Sequence, residues 1–245
     1  MTSPVLYLFH VSPFAEKARW ALDVKRVPYR AVTLLPGPHR LTVRRYSRSP
    51  LVPLLVHDGA VVQGSSAIID HVERIWPEPP LTPQEGDAAQ LERSLDREVG
   101  EEGRRVFYSY LLDRPDVTRP LFSAGGPSWG PLFYRVSFRV VAAYIRWAYQ
   151  VDRASVARAR QTVAGAVERL ADRLRGRAYL FGDRLSRLDI TAGAVLAPLF
   201  GPPEHACRWD AVRAALPGWR EWTATFETSP VAGWVRRLYR EHRLV

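Results

Sequence analysis

Hydrophobic residues are arranged differently in the two parts of this chain. Over the first eighty positions they form short runs separated by turn residues. Val5 to Phe9 is an unbroken apolar run that predicts a buried strand, and Tyr29 to Leu34 predicts a second. Between them, Pro13 to Val24 carries Ala18, Trp20, Ala21 and Leu22 on the apolar faces of a helix. Val52 to Val56 predicts a strand entered through Pro53, and His57-Asp58-Gly59-Ala60 is a hairpin signal that returns the chain through Val61 and Val62. Ser65 to Ile75 then reads as a helix, stopped by the linker Trp76-Pro77-Glu78-Pro79-Pro80. The order βαβ followed by ββα predicts a small mixed sheet with helices on its faces.

Beyond Leu81 strand signals nearly vanish. Gln84 to Leu112, Leu132 to Val151 and Arg153 to Arg175 carry apolar residues at helical spacing. Asp113 to Pro131, rich in Pro, Gly and Ser but holding Leu121, Phe122 and Trp129, reads as a long loop of the kind used for lids and binding. Ser186-Arg187-Leu188-Asp189 is a capping box whose acid is Asp, opening an apolar helix that runs to Phe200. Trp209 to Tyr239 reads as short helices broken at Pro217 and Pro230. The expected organisation is an α/β domain over residues 1–80 and an all-α domain over 81–245.

Composition narrows the setting. The 245 residues are 47% hydrophobic and 24% charged, enough for one or two domains with real cores. No apolar run reaches membrane-spanning length, and Met1-Thr2-Ser3-Pro4 lacks the charged and apolar regions of a signal peptide. Cys207 is the sole cysteine, so it forms no internal disulfide, and no Cys/His cluster has metal-ligand spacing. These features lead to the expectation of a reducing, cytoplasmic location with no membrane partner and no metal. The net charge of +10 raises nucleic acid as a partner. Its distribution argues against that. Ten basic and six acidic residues precede Pro83, with twenty-five and nineteen after, and no block of like charge stands out. A solvated basic surface that draws in small anions fits better.

The segment from Leu6 to Leu22 is the richest in chemistry. An apolar run ends at a polar turn, and a helix opens with Pro13 in its first turn. Ser12 therefore sits beside the unpaired N–H groups of a helix N-terminus, where a negative charge is stabilised. A phosphate, a carboxylate or a thiolate fits that position. A serine hydroxyl donating to a thiolate lowers the thiol pKa; the alternative is that Ser12 only caps the helix.

Four features in this order resemble the cytosolic glutathione transferase family, which joins a thioredoxin-like N-terminal domain to an all-helical one. Ser12-Pro13-Phe14-Ala15-Glu16-Lys17-Ala18-Arg19 resembles the active-site turn of the omega class, with serine where that class has cysteine, as in serine-type classes such as zeta. Val52-Pro53 resembles the family's Val-Pro pair with a cis proline. Gly64-Ser65-Ser66-Ala67-Ile68-Ile69 resembles its (Glu/Gln)-Ser-x-Ala-Ile motif. Tyr179 to Asp183 followed by Ser186 to Asp189 resembles its helical-domain capping box with a buried aspartate.

The resemblance implies an enzyme that conjugates a thiol cofactor, glutathione or another small thiol, to an electrophilic small molecule, with Ser12 stabilising the thiolate. It implies thiol-cofactor contacts at Val52, Pro53, Ser65 and Ser66, with Gln63, His39 and Arg40 nearby, and a homodimer. The electrophile pocket is expected at Val11, Phe14, Phe107, Tyr108, Leu111, Phe133 and Tyr134. Leu8 stands where tyrosine-type enzymes have their catalytic Tyr, and Tyr7 alternates to the opposite face. Gly64 replaces the usual Glu or Gln, whose side chain meets the γ-glutamyl ammonium, and Gln63 is the adjacent candidate to substitute. The alternative is a non-catalytic family member that binds a hydrophobic or planar anionic ligand, or a protein partner. Asp189 reads as a structural cap, and Cys207 as a small apolar filler.

Overall fold

The computed structural model describes residues 3–84 and 86–243. Met1 and Thr2, which begin the segment read above for a signal peptide, and Glu85, within the expected Gln84–Leu112 helix, lie outside the described residues. The chain opens as β1 (Val5–Leu8), α1 (Pro13–Val24), β2 (Arg30–Thr33), α2 (His39–Val43), β3 (Leu54–His57), β4 (Ala60–Gln63) and α3 (Ser65–Ile75). The sheet order is β2-β1-β3-β4. β1 runs parallel to β2 with Leu6 opposite Ala31, and antiparallel to β3 with Leu6 opposite Leu55. The hairpin pairs β3 with β4, Leu55 opposite Val62. One face buries Leu6, Leu8 and Leu55 against Ala15, Ala18, Leu22, Ile68 and Val72 from α1 and α3. This is the α/β layer that the alternating pattern predicts.

The remainder is helical: α4 (Ala88–Ser94), a π-helical segment (Leu95–Glu101), α5 (Glu102–Leu111), α6 (Pro115–Ser123), α7 (Gly130–Ala148), α8 (Arg153–Arg173), α9 (Arg187–Phe200), α10 (Trp209–Ala215), α11 (Pro217–Ala224) and α12 (Pro230–His242). The expected loop from Asp113 to Pro131 is therefore corrected, because α6 occupies its first half. Pro115 lies in the first turn, where the missing N–H removes no hydrogen bond. Thr118, Leu121 and Phe122 bury the inner face, and Thr118 Oγ1 donates to the Leu111 carbonyl at 2.5 Å, tying α6 back to α5. Turn-like composition hid a helix whose stability comes from this packing.

All fourteen residues of α9 are buried, so the helix is enclosed around its whole circumference, with Arg187, Asp189 and Thr191 as its buried polar groups. α1 lies against it: Trp20, fully buried, meets Gly193 on α9 and Tyr239 on α12, and donates Nε1–H to the His242 carbonyl at 3.1 Å. Charged groups reinforce the seam between the domains. Lys17, fully buried, reaches Glu92 and Asp96 at 2.8 Å each. Arg187 pairs with Asp70 and Glu92, and Arg243 with Glu16 and Asp23. Lys25 donates to the carbonyls of Trp76, Pro77 and Pro79 and so holds the linker down. Both Val52–Pro53 and Glu78–Pro79 peptides are cis; the sequence pattern anticipates only the first.

Candidate active site

The site begins where β1 hands over to α1. Ser12 N–H donates to the Phe9 carbonyl at 3.1 Å, closing the turn, and Glu16 N–H donates to the Ser12 carbonyl at 3.0 Å, starting the helix. Ser12 is the N-cap, its Oγ accepting from Ala15 N–H at 3.3 Å. The capping bond uses a lone pair and leaves the hydroxyl proton free to donate elsewhere. Capping and thiolate stabilisation are thus compatible roles for one side chain.

Ser12 opens onto a cleft of about 640 Å³ between the sheet layer and the helices. Of the residues expected in the site, it brings together Ser12, Val11, Phe14, Val52, His39, Arg40, Phe107 and Tyr108. Val52 stands two residues before the first residue of β3, so its backbone lies outside the sheet ladder. Pro53 is buried behind it, and its carbonyl accepts from Gly64 N–H at 3.0 Å. That bond sets the start of α3 one residue from the Val-Pro turn. Gly64, at φ +91°, is the N-cap of α3, and Ser65 is its first helical residue.

The other expected residues are not among the cleft's lining. The Ser66 hydroxyl belongs to the interdomain seam, accepting from Lys17 Nζ at 2.8 Å and donating to Glu92 at 2.9 Å. The Gln63 amide is occupied: its oxygen accepts from Ser47 Oγ, and its nitrogen donates to the Ser49 and Leu51 carbonyls. Gln63 therefore braces the 47–51 loop instead of substituting at Gly64, where a Cβ would meet nothing within 4 Å. Leu111 and Tyr134 are fully buried in the helical core, with the Tyr134 hydroxyl donating to the Pro36 carbonyl. Phe133 packs beside Gly37 and Tyr134. Tyr7 faces away from the cleft lining and hydrogen-bonds Tyr46, while Leu8 lies in the sheet core.

Sequence reading missed the opposite wall: Gly100, Gly103 and Arg104, then Val140, Tyr144 and Tyr149, with Val195, Leu199 and Trp209 behind. A signal for the first group was present. Arg104 stands four residues before Tyr108 and three before Phe107, and so shares their helical face. Gly100 lies in the π-helical segment, where an added Cβ would come within 2.7 Å of the Phe14 ring, so the absence of a side chain lets Phe14 fit. A π segment beside a cleft is a common functional placement.

Among the described residues the cleft lining contains no Asp or Glu, but three basic side chains, His39, Arg40 and Arg104. His39 is held below its ordinary pKa by burial and by neighbouring Arg40, so it is neutral at pH 7. Burial pushes the Tyr108 hydroxyl well above the usual tyrosine range, leaving a protonated donor. No group of three or more His, Cys, Asp or Glu suited to a metal occurs among the described residues. Cys207 is buried outside the cleft, its thiol pushed up to about 12, mainly by desolvation.

Comparison with known proteins agrees with this architecture. Residues 6–80 match the family described as glutathione S-transferase, N-terminal domain, and residues 153–225 the one described as glutathione S-transferase, C-terminal domain. Glutathione S-transferase 1 of Dianthus caryophyllus is 43% identical over 84 residues, covering 33% of this chain and 38% of that protein. A probable maleylacetoacetate isomerase of Caenorhabditis elegans is 34% identical over 84 residues, covering 34% and 39%. The matched segment thus spans under two fifths of these relatives' length. Among solved structures, a glutathione S-transferase of Ceriporiopsis subvermispora in complex with glutathione superposes with a TM-score of 0.65 at 19% identity, covering 100% of this chain and 99% of that one.

Proposed function

The chain belongs to the glutathione transferase family, and we propose that it transfers glutathione, or a related small thiol, onto an electrophilic small molecule. One observation carries this reading. Ser12 caps α1 at the edge of the cleft with its own proton uncommitted among the described residues. A thiolate bound there receives the Ser12 O–H, the Phe14 N–H, which is what the first helical turn has left once Pro13 lacks a donor and Ala15 and Glu16 bond back to Ser12, and the positive end of the helix dipole. Each favours the charged form, lowers the thiol pKa and raises the nucleophile's population at neutral pH. Val52, outside the sheet ladder, offers its backbone to the peptide part of the thiol. Ser65, at the first turn of α3, offers an N–H to its γ-glutamyl carboxylate. The apolar walls receive the electrophile. A homodimer in a reducing cytosol belongs to the same reading; Leu132, Val136 and Trp147 on α7 are exposed apolar surface, outside the cleft lining, that a second copy would cover.

Gly64 favours a second reading, binding without turnover, because it supplies no side-chain acceptor for the γ-glutamyl ammonium. Two measurements separate them: retention on immobilised glutathione, and conjugation of glutathione to 1-chloro-2,4-dinitrobenzene followed against pH. Ser12→Ala is expected to slow conjugation roughly ten- to a hundredfold near neutral pH and to move the pH profile upward, matching a charge-assisted hydrogen bond of about 1.5–3 kcal/mol. It also removes the cap, so a loss of about 1 kcal/mol of stability accompanies it. Ser12→Asp keeps a capping acceptor but loses the donor, and should slow conjugation at least as much while restoring stability. Conjugation whose rate and pH profile survive both substitutions would make Ser12 a cap alone and overturn the mechanism.

A further inference from the structure

The cations of the cleft are not equivalent. Arg40 gives Nη1–H to the Tyr144 hydroxyl at 2.8 Å. Arg104 makes no hydrogen bond and no ion pair among the described residues, and its Nε is buried without an acceptor. Its guanidinium lies over the Tyr149 ring, 4.3 Å from the centroid, and 5.7 Å from that of Phe14. A second donor in the lining is in the same condition: Trp209 is 2% exposed, and its indole N–H has no acceptor. The buried cations Lys17, Arg187 and Arg243 pair with carboxylates, whereas Arg104 is half-buried and has its Nε, aimed away from water, without an acceptor. A buried donor left unpaired is destabilising, and more so when it is charged. Among the described residues no acidic side chain lines the cleft to supply the missing acceptor.

We propose that this end of the cleft is an anion-recognition site in which Arg104 selects small molecules bearing a carboxylate on a flat apolar body. A carboxylate presents two oxygens to the guanidinium fork and replaces the partner that the protein omits. The rings of Tyr149 and Phe14 hold the fork in place by cation–π contact. Phe107, Val195 and Leu199 accept a planar, apolar remainder better than a branched polar one. The class is therefore aromatic or conjugated carboxylic acids. That such molecules are co-substrates, and not only ligands, rests on the thiol-transfer reading above. For a chloroarene the thiolate sulfur forms a bond to the ring carbon, the carbon–chlorine bond breaks, chloride leaves with the electron pair, and the carboxylate is unchanged. Arg104 would then be a specificity-determining residue.

Calorimetric titration of the thiol-free protein with 3-nitrobenzoate and with uncharged 3-nitrobenzamide reads the anion preference without turnover. The benzoate is expected to bind on the order of tenfold tighter, the scale of one charge-assisted hydrogen bond, and Arg104→Gln to abolish most of that preference. Equal affinities in the parent protein, binding of neither, or a preference that Arg104→Gln leaves intact would each overturn the proposal. The first two outcomes need no variant to fold. A parallel assay with glutathione compares 4-chloro-3-nitrobenzoate with 4-chloro-3-nitrobenzamide. If neither turns over while the Arg104-dependent binding preference persists, the thiol-transfer reading fails and the anion site stands. If both turn over in a ratio that Arg104→Gln does not change, the anion site fails and thiol transfer stands.

Discussion

At the scale of single residues, Asp189 and Ser12 show how one motif type serves two ends. Both stand at helix starts, yet Asp189 is fully buried and committed, accepting from Leu180 N–H and Ser186 N–H at 2.8 Å each and from Ser186 Oγ–H at 2.6 Å. Ser12 keeps its proton and faces the cleft. Asp189→Ala orphans two buried N–H groups and removes the capping box, so a loss on the order of 3 kcal/mol is expected in urea denaturation. Asp189→Asn keeps one acceptor and should recover part of it. An Ala variant with an unchanged midpoint and abolished conjugation would assign Asp189 a role in chemistry instead. The same contrast sets what sequence can tell about a site. Ser12 and Val52 were legible because turn and strand signals fix where they fall along the chain. Ser66 and Gln63 share their motif neighbourhood, but long-range partners, Lys17 for one and the 47–51 loop for the other, take up their polar groups. No local pattern encodes those partners.

At the scale of elements, α1 and α9 were legible because a capping signal heads each apolar segment, and α3 because its apolar residues recur at helical spacing after Ser65. Pro13 and Ser12 start α1, and the Ser186/Asp189 box starts α9. α6 was not, since Pro115 and Pro120 mark it as loop while contacts with α5 stabilise it. The π-helical segment was also hidden, because it continues the apolar run of α4 into α5 without a break in composition. Two glycines test the packing of these elements with one substitution. Gly193 lies where α9 crosses α1, and an added Cβ would come within 2.8 Å of the buried Trp20 ring. Trp20 is enclosed by Tyr239 and anchored to His242, so the ring has no room to yield. Gly193→Ala should therefore cost about 1–3 kcal/mol through overpacking. Gly233 is exposed on α12, and a Cβ there meets nothing within 4 Å. Gly233→Ala should stabilise by roughly 0.5–1 kcal/mol through lost chain entropy. Paired thermal or chemical denaturation curves test the opposite signs, and a stable Gly193→Ala would mean the α1–α9 contact is looser than described.

At the scale of the whole molecule, the balance of charge makes stability depend on pH in a defined direction. The chain carries a formal charge of +10 with its histidines neutral, so every histidine protonated on acidification adds to an existing excess. His10, His39, His71, His205 and His242 all have pKa values below the ordinary 6.5, with desolvation the leading cause in each. His205 is the extreme case: 4% exposed, beside Trp209 and Tyr239, and pushed down to about 4 by burial, although Glu16 pulls the other way and Arg243 and Arg19 oppose protonation. A histidine whose folded pKa lies below its unfolded one leaves the unfolded chain holding more protons in between. Its contribution is therefore complete above about pH 6.5, declines as pH falls through that value, and levels off only below the folded pKa. For His205 alone the loss between pH 6.5 and 4 is about 3 kcal/mol. Glu16, Glu73 and Glu92, with pKa values lowered by their cationic and hydrogen-bonding partners against burial, hold firm until the pH falls through about 4.5 and add to the loss below it. Unfolding free energy measured at several pH values should thus begin to fall near pH 6.5, above the range in which Glu16, Glu73 and Glu92 lose their contribution. His205→Gln should flatten that fall by up to one proton, or about 1.4 kcal/mol per pH unit. A variant that retains the full slope would move the acid sensitivity from His205 to the other four histidines.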